Sequence, residues 1–193
     1  MFAYLLKEIL MGTSNVHLAT EALVLLGDEP ISSFTDGTAG ATIAANLYET
    51  SYLSMLTNHR WRFATKQAKL SRLTAKPIQE WQYQFQLPSD CIYLIRTDAK
   101  DYQIYEDKVL CNQQELRVDY MFRVDESALP DYFSKAFSFF LANQFAVPLT
   151  GDTAKGQYYG QMYLTALKQA KFADSTQHPQ DSFQDNPYVK VRW

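Results

Sequence analysis

The chain has 193 residues, of which 47% are apolar and 20% are charged, and its formal net charge is −3. This size and composition predict one well-buried globular domain with room for a smaller subdomain. The slight negative charge argues against a protein that grips nucleic acid, because such proteins depend on neutralising phosphates.

Two helices are predicted in the N-terminal third of the chain. Residues 1–10 are expected to be an N-terminal extension of undefined order, since they lack the basic start and the cleavage site of a signal peptide and precede the convincing helical periodicity. The first helix has a cap among residues 13–15 and ends at Gly27. The second has a cap at Asp36 or Thr38 and keeps an apolar face through residue 56.

The pattern changes from helical to extended after residues 58–60. Trp61, Phe63 and Thr65 alternate with Arg62 and Ala64, which predicts a strand directly after the second helix. Further strands are predicted at residues 83–85, at 91–96 in an apolar run typical of a central strand, in a hairpin over 102–111, and at 116–121. Residues 61–129 are therefore predicted to be a β-rich subdomain containing a small, mainly antiparallel sheet.

Helical periodicity returns at Pro130. The third helix is expected to end at Pro148, and the fourth begins at Thr153, so the short link predicts that the two pair antiparallel. The predicted fold class is α+β and mainly helical: a four-helix bundle with a small antiparallel β insertion between its second and third helices. Residues 11–60 and 130–173 form the bundle in this prediction.

Residues 174–193 have no helical or strand periodicity and contain Pro179 and Pro187. Their aromatic side chains are hard to reconcile with a segment that stays in water. We therefore predict an extended C-terminal arm that becomes ordered when it docks on a partner.

No arrangement typical of catalysis or cofactor binding is found. The loop Gly151–Gly156 has the glycine spacing of a phosphate loop, but Gln157-Tyr158 stands where Lys and Ser or Thr are required. Cys91 and Cys111 form no C-x-x-C pair, which indicates a reducing compartment and gives no support for a zinc site. No apolar run approaches the roughly 20 residues of a membrane span. We predict a protein without catalysis, cofactor, metal or membrane insertion.

A glycoside hydrolase is the alternative that the sequence keeps open, because such an enzyme needs only two carboxylates facing each other across a cleft. Helix caps and solvated surface positions are the simpler interpretation of each acidic residue. The candidate carboxylates are Glu21, Asp28, Glu29, Glu49, Asp90 and Asp125.

A series of motifs occurs in order along residues 14–172. It comprises Ala22-Leu23 with Leu26-Gly27-Asp28-Glu29-Pro30-Ile31, Trp61-Arg62-Phe63-Ala64 after a long helix, Leu87-Pro88-Ser89-Asp90-Cys91, a tyrosine-rich hairpin, and Leu129-Pro130-Asp131-Tyr132-Phe133 opening a helix. In order and spacing the series resembles the tail tubular protein A family, the head-to-tail adaptors of short-tailed bacteriophages. The closing Lys190-Val191-Arg192-Trp193 fits the family loosely.

The resemblance implies a structural, homo-oligomeric ring, typically twelve-fold, between the portal protein and a nozzle protein similar to tail tubular protein B. Such a ring lies in the neck of the virion and is synthesised in the bacterial host cytoplasm. Its helical part faces the portal, its β-rich part faces the nozzle, and double-stranded DNA passes through the lumen without specific binding during packaging and ejection.

The resemblance also implies that the C-terminal arm lies along the portal, with Arg192 paired to an acidic groove. The expected portal-binding residues are Phe183, Tyr188, Val189, Val191, Arg192 and Trp193. An adaptor from a long-tailed phage or a prophage is a related alternative, which differs in what sits below the ring.

Overall fold

Four α-helices and seven β-strands are present in the computed structural model, which describes residues 13–78 and 80–177. The helices are α1 (Asn15–Leu26), α2 (Ala39–Thr57), α3 (Asp131–Thr150) and α4 (Thr153–Thr176). The strands are β1 (Thr65–Lys69), β2 (Ser71–Arg72), β3 (Tyr83–Gln86), β4 (Cys91–Thr97), β5 (Tyr102–Tyr105), β6 (Lys108–Cys111) and β7 (Arg117–Phe122).

Capping residues set most of the helix boundaries. The side chains of Ser14, Thr38 and Asp152 each accept backbone hydrogen bonds from the first turn of α1, α2 and α4. These bonds satisfy N–H groups that have no partner inside the helix. Gly27 ends α1 at a φ of 85°, a conformation that favours glycine. The predicted starts of these three helices and the end at Gly27 are confirmed.

Helix α3 is the centre of the helical layer. Its residues Phe133, Phe137 and Phe145 are completely buried. Tyr48 and Tyr52 of α2 pack edge-on against Phe137, with ring centroids 5.6 and 5.4 Å away. Helices α1, α2 and α4 each pack against α3.

Helices α3 and α4 pair antiparallel, as the short link between them predicts. The Tyr132 hydroxyl at the start of α3 donates to Asp174 near the end of α4, at 3.0 Å. Asn143, near the end of α3, donates to the carbonyl of Gly156 near the start of α4, at 2.8 Å. Contacts at both ends therefore hold the pair in register.

The strands form two antiparallel sheets. One has the order β1-β7-β4 and the other β2-β3-β6-β5. Their inner faces share a hydrophobic core that contains Val118 and Tyr120 of the first sheet with Phe85, Val109 and Cys111 of the second. The two sheets thus form a small sandwich. Met121 of β7 belongs instead to the helical core, so β7 connects the two layers.

The predicted four-helix bundle with a small β insertion is wrong. All four helices contribute to one core centred on α3, but they lie at the two ends of the chain and make up only part of the fold. The β part is a two-sheet sandwich of seven strands with its own core. A sheet with apolar residues on one face needs a second layer to cover them, and here the second sheet provides it.

Three local predictions are also wrong. Trp61–Ala64 is a turn, in which Ala64 N–H donates to the Trp61 carbonyl at 3.2 Å, and both residues are fully buried. Helix α3 continues past Pro148 to Thr150, because a proline in the last turn removes only one N–H and Gly151 supplies the cap. Strand β4, predicted to be central, lies at the edge of its sheet.

Candidate functional site

The residues predicted to bind the portal lie outside the part of the chain that the structure describes, as does the predicted extension over residues 1–10. These arm residues are Phe183, Tyr188, Val189, Val191, Arg192 and Trp193. The structure describes the chain as far as Gln177, close to the start of the predicted arm. Helix α4 continues through Asp174 to Thr176, slightly beyond the arm's expected start.

Asp174 anchors the end of α4 to the turn between α2 and β1. Its side chain is almost completely buried, at 1% exposure. The carboxylate accepts the backbone N–H of Arg62 at 3.3 Å and the hydroxyl of Tyr132 at 3.0 Å. His59 Nε2 lies 3.8 Å away, and burial together with Lys171 lowers the pKa of His59, while Asp174 opposes that shift. The C-terminal end of α4 is therefore fixed to the junction of the two layers.

A second polar network joins α2 to the segment after β7. Arg123 donates from Nε and Nη2 to the two carboxylate oxygens of Glu49, at 2.8 and 2.9 Å. Its Nη2 also donates to Glu126 at 2.8 Å, and its guanidinium lies 4.8 Å from the centre of the Tyr52 ring. The Tyr48 hydroxyl completes the network by donating to Glu126 at 3.3 Å. This network fixes the helical layer on the sandwich.

Five of the six carboxylates considered for glycoside hydrolysis contact other parts of the fold. Glu21 accepts the Ser138 hydroxyl at 2.6 Å, and Asp90 pairs with Lys66 at 2.8 Å. Glu49 binds Arg123, Asp125 caps the turn over Glu126–Ala128, and Asp28 lies over the first turn of α2 at Gly40. Glu29 is exposed. Within residues 13–78 and 80–177 no cluster of His, Cys, Asp and Glu has the geometry to hold a metal ion.

The helical layer leaves large apolar side chains exposed. Phe172 and Tyr158 of α4 are 71% and 57% exposed. They are 14 positions apart, which is close to four helical turns, so they lie on the same outward side of α4. The other exposed apolar residues of this layer are Val24, Leu25, Val147, Met162 and Leu164. None of the described helices is both long and apolar enough to span a bilayer.

The sandwich leaves a second apolar surface at β5. Tyr102 and Ile104 pair with Cys111 and Val109 of β6, so they point to the same side as those buried residues. They are nevertheless 40% and 44% exposed, because β5 is the outermost strand of its sheet. Among the described residues no strand pairs with its outer backbone N–H and C=O groups, which makes β5 a natural edge for pairing with another chain.

The outer face of the three-stranded sheet carries a groove lined by basic side chains, here called the basic groove. Its cationic residues are Arg60, Arg62, Lys69, Arg96 and Arg117, and the carboxylates that line it are Asp98 and Asp119. Strand register builds it, because Lys69 lies opposite Arg117, and Gln67 and Arg96 lie on either side of Asp119. The sequence did not predict this groove, since its residues are spread from position 60 to 119 and only the pairing of β1, β7 and β4 brings them together.

Comparison with protein-family models gives no match, and a search of curated proteins gives none either. The function is therefore inferred from the residues and from the geometry of these surfaces.

Proposed function

We propose that this chain is a structural head-to-tail adaptor of a bacteriophage virion. In this proposal, copies of the chain form a ring that joins the portal to the tail nozzle. The ring forms part of the DNA channel and serves genome retention and ejection without catalysis. The C-terminal arm docks on the portal through its aromatic residues.

The observation that carries the proposal is the exposure of apolar surface on both layers. Phe172 and Tyr158 project from the helical layer, while Tyr102 and Ile104 project from the edge of the sandwich. A ring subunit needs unlike surfaces on its two sides, and an adaptor needs further surfaces above and below. Exposed apolar side chains on both layers satisfy that requirement better than one enclosed cleft would.

The motifs behind the family resemblance occupy structural boundaries, which also supports the proposal. Leu26-Gly27 ends α1, Trp61 lies in the turn between the two layers, and Pro130-Asp131 opens α3. These positions govern how the helical layer meets the sandwich, so a family with this architecture would retain them.

The arm is tested by replacing both Tyr188 and Trp193 with Ala. We expect the variant to keep its helical circular dichroism and its melting temperature, while its affinity for the portal ring of the same virus falls about 1,000-fold, since two aromatic anchors of about 2 kcal/mol each contribute about 4 kcal/mol together. The control variant Gln161→Ala changes an exposed position of α4 and should bind normally. Unchanged portal binding by the arm variant would contradict the arm assignment.

A further inference from the structure

We propose that the basic groove is a binding site for the phosphate backbone of duplex DNA. Its assignment to the channel wall rests on the adaptor function proposed above, whereas the binding itself does not. In this proposal the outer face of the three-stranded sheet binds DNA and faces the lumen of the ring.

The charge of the groove differs in sign from that of the whole chain. Five cationic side chains line it against two carboxylates, although the chain has a net charge of −3. Lys69 pairs with Glu115 at 2.7 Å, so its charge is partly neutralised. No carboxylate among the described residues lies within 4 Å of the Arg62 or Arg117 guanidinium, so both are available to an external anion.

Asp119 positions the arginines at the middle of the groove. Its side chain, only 10% exposed, accepts Arg96 Nε at 2.6 Å and Arg60 Nη2 at 3.3 Å, while Gln67 donates to its other oxygen at 2.9 Å. Burial acts to raise the pKa of Asp119, but the bonds from Arg96 and Gln67 lower it below its usual value. Arg96 itself remains 67% exposed. One ionised carboxylate thus holds two guanidinium groups, whose remaining N–H groups are free for phosphate oxygens.

The lining favours DNA over an acidic protein. The large apolar residues that are exposed elsewhere, such as Tyr93 and Tyr102, do not line the groove. Protein interfaces need apolar or aromatic anchors at their centre, whereas protein–DNA interfaces are polar and strongly positive.

The same lining favours a duplex over a single strand. Sequence-tolerant binding of single strands uses aromatic side chains on which bases stack, and no aromatic residue within 13–78 and 80–177 lines the groove. Contacts limited to phosphates also carry no sequence information. With about four contacts the binding would weaken steeply with salt, at a slope near −0.9 for each phosphate. Such weak, sequence-independent binding is compatible with DNA that slides past the ring.

The test uses the full chain and a fluorescent DNA duplex, with binding followed by anisotropy between about 50 and 200 mM salt. The double variant Arg62→Gln with Arg117→Gln removes the two cations without carboxylate partners and leaves Asp119 paired. We expect at least about 10-fold weaker binding at low salt and a salt slope reduced by about 2. The control Lys76→Gln with Lys168→Gln removes the same charge from exposed positions outside the groove and should bind like the parent chain.

Three outcomes would overturn the proposal: the parent chain does not bind duplex at low salt, the groove variant binds normally, or the control variant loses as much affinity as the groove variant. Portal binding by the same proteins is measured in parallel. Loss of portal binding or of self-association in the groove variant, with DNA binding unchanged, would assign the groove to a protein contact. If the parent chain binds DNA through the groove but does not bind the portal, this inference is supported and the adaptor function is contradicted.

Discussion

Arg123 joins three parts of the chain through one guanidinium group. It binds Glu49 on α2 and Glu126 after β7, and it lies over the ring of Tyr52. Glu126 is buried, at 7% exposure, so removing its partner leaves a carboxylate without compensation. We expect Arg123→Met to lower the free energy of unfolding by about 3 kcal/mol, as for other broken buried pairs.

The matched control for Arg123→Met is Glu49→Gln, which removes the exposed partner of the same arginine. Because Glu49 is about half exposed, this change should cost less than about 1 kcal/mol. Urea unfolding of both variants at neutral pH compares the two values. Equal and small losses would show that the network does not hold the layers together.

Acid should weaken the folded state through the Arg123–Glu49 pair and through the separate Lys66–Asp90 pair. The hydrogen bond from Arg123 lowers the pKa of Glu49, and the bond from Lys66 lowers that of Asp90. A carboxyl with a lowered folded pKa adds stability above its unfolded pKa, about 3.9 for Asp and about 4.3 for Glu, and this stability is lost as pH falls through the folded value. The urea concentration at the midpoint of unfolding should therefore decrease as the pH is lowered from about 5 to about 3.

Comparing the pH profiles of the parent chain and an Arg123 variant separates the contribution of Arg123 to stability from that of the other charged groups. The variant Arg123→Met should show a smaller decline over the same pH range, because Glu49 then titrates near its usual pKa in both states. Part of the decline should remain, since Asp90 and Asp119 keep their own partners. An identical pH profile for the parent chain and the variant would contradict this account.

At the scale of elements, the contact between α1 and α2 depends on a glycine. A Cβ atom at Gly40 would lie 2.5 Å from Asp28 Oδ2 and 3.1 Å from Leu23 Cδ2. Asp28 can rotate away, but Leu23 is completely buried. We expect Gly40→Ala to lower stability by about 1 to 2 kcal/mol, because crowding in a packed core outweighs the gain in helix propensity.

Gly156 on α4 provides the comparison for Gly40. The nearest atoms to a Cβ there are 3.7 Å away, which is ordinary van der Waals distance. Gly156→Ala should therefore raise stability by about 0.5 to 1 kcal/mol through helix propensity alone. Thermal melts of the two variants should shift in opposite directions. Shifts of the same sign and size would mean that the close approach at Gly40 is not important.

The sequence predicted those helix boundaries that depend on local chemistry. Ser14, Thr38 and Gly27 act through their own side chain or backbone, so a short window of residues contains the signal. The antiparallel pairing of α3 and α4 follows from the short link that Asp152 closes. The β5–β6 hairpin was also predicted correctly, from two apolar runs around Glu106.

Features that depend on tertiary packing were not predictable. Trp61 and Phe63 have the spacing of a strand. However, Trp61 and Ala64 would lie on opposite faces of a strand, and both are fully buried, which a strand with one solvent face would not show. The split into two sheets depends on which strands pair, and periodicity does not encode that choice. The basic groove was missed for the same reason, because Arg96 and Asp119 meet only through strand register.

At the scale of the whole molecule, the two layers offer different surfaces to partners. Helix α4 presents Tyr158 and Phe172, while the sandwich presents the open edge of β5. Unlike surfaces on one subunit favour head-to-tail contacts, which close into rings when the rotation between subunits allows it. Asp174, which is buried, fixes the end of α4 to the body, so α4 would end at an equivalent position in every subunit of the proposed ring.

The central claim is that this chain assembles on a portal as a ring. Light scattering of the chain alone, and then mixed with the portal ring of the same virus, tests it most directly. We expect the 22.2 kDa chain to join the portal in a stoichiometric complex with about one copy for each portal subunit. Absence of any association between the chain and the portal, at low and at high salt, would contradict the adaptor function.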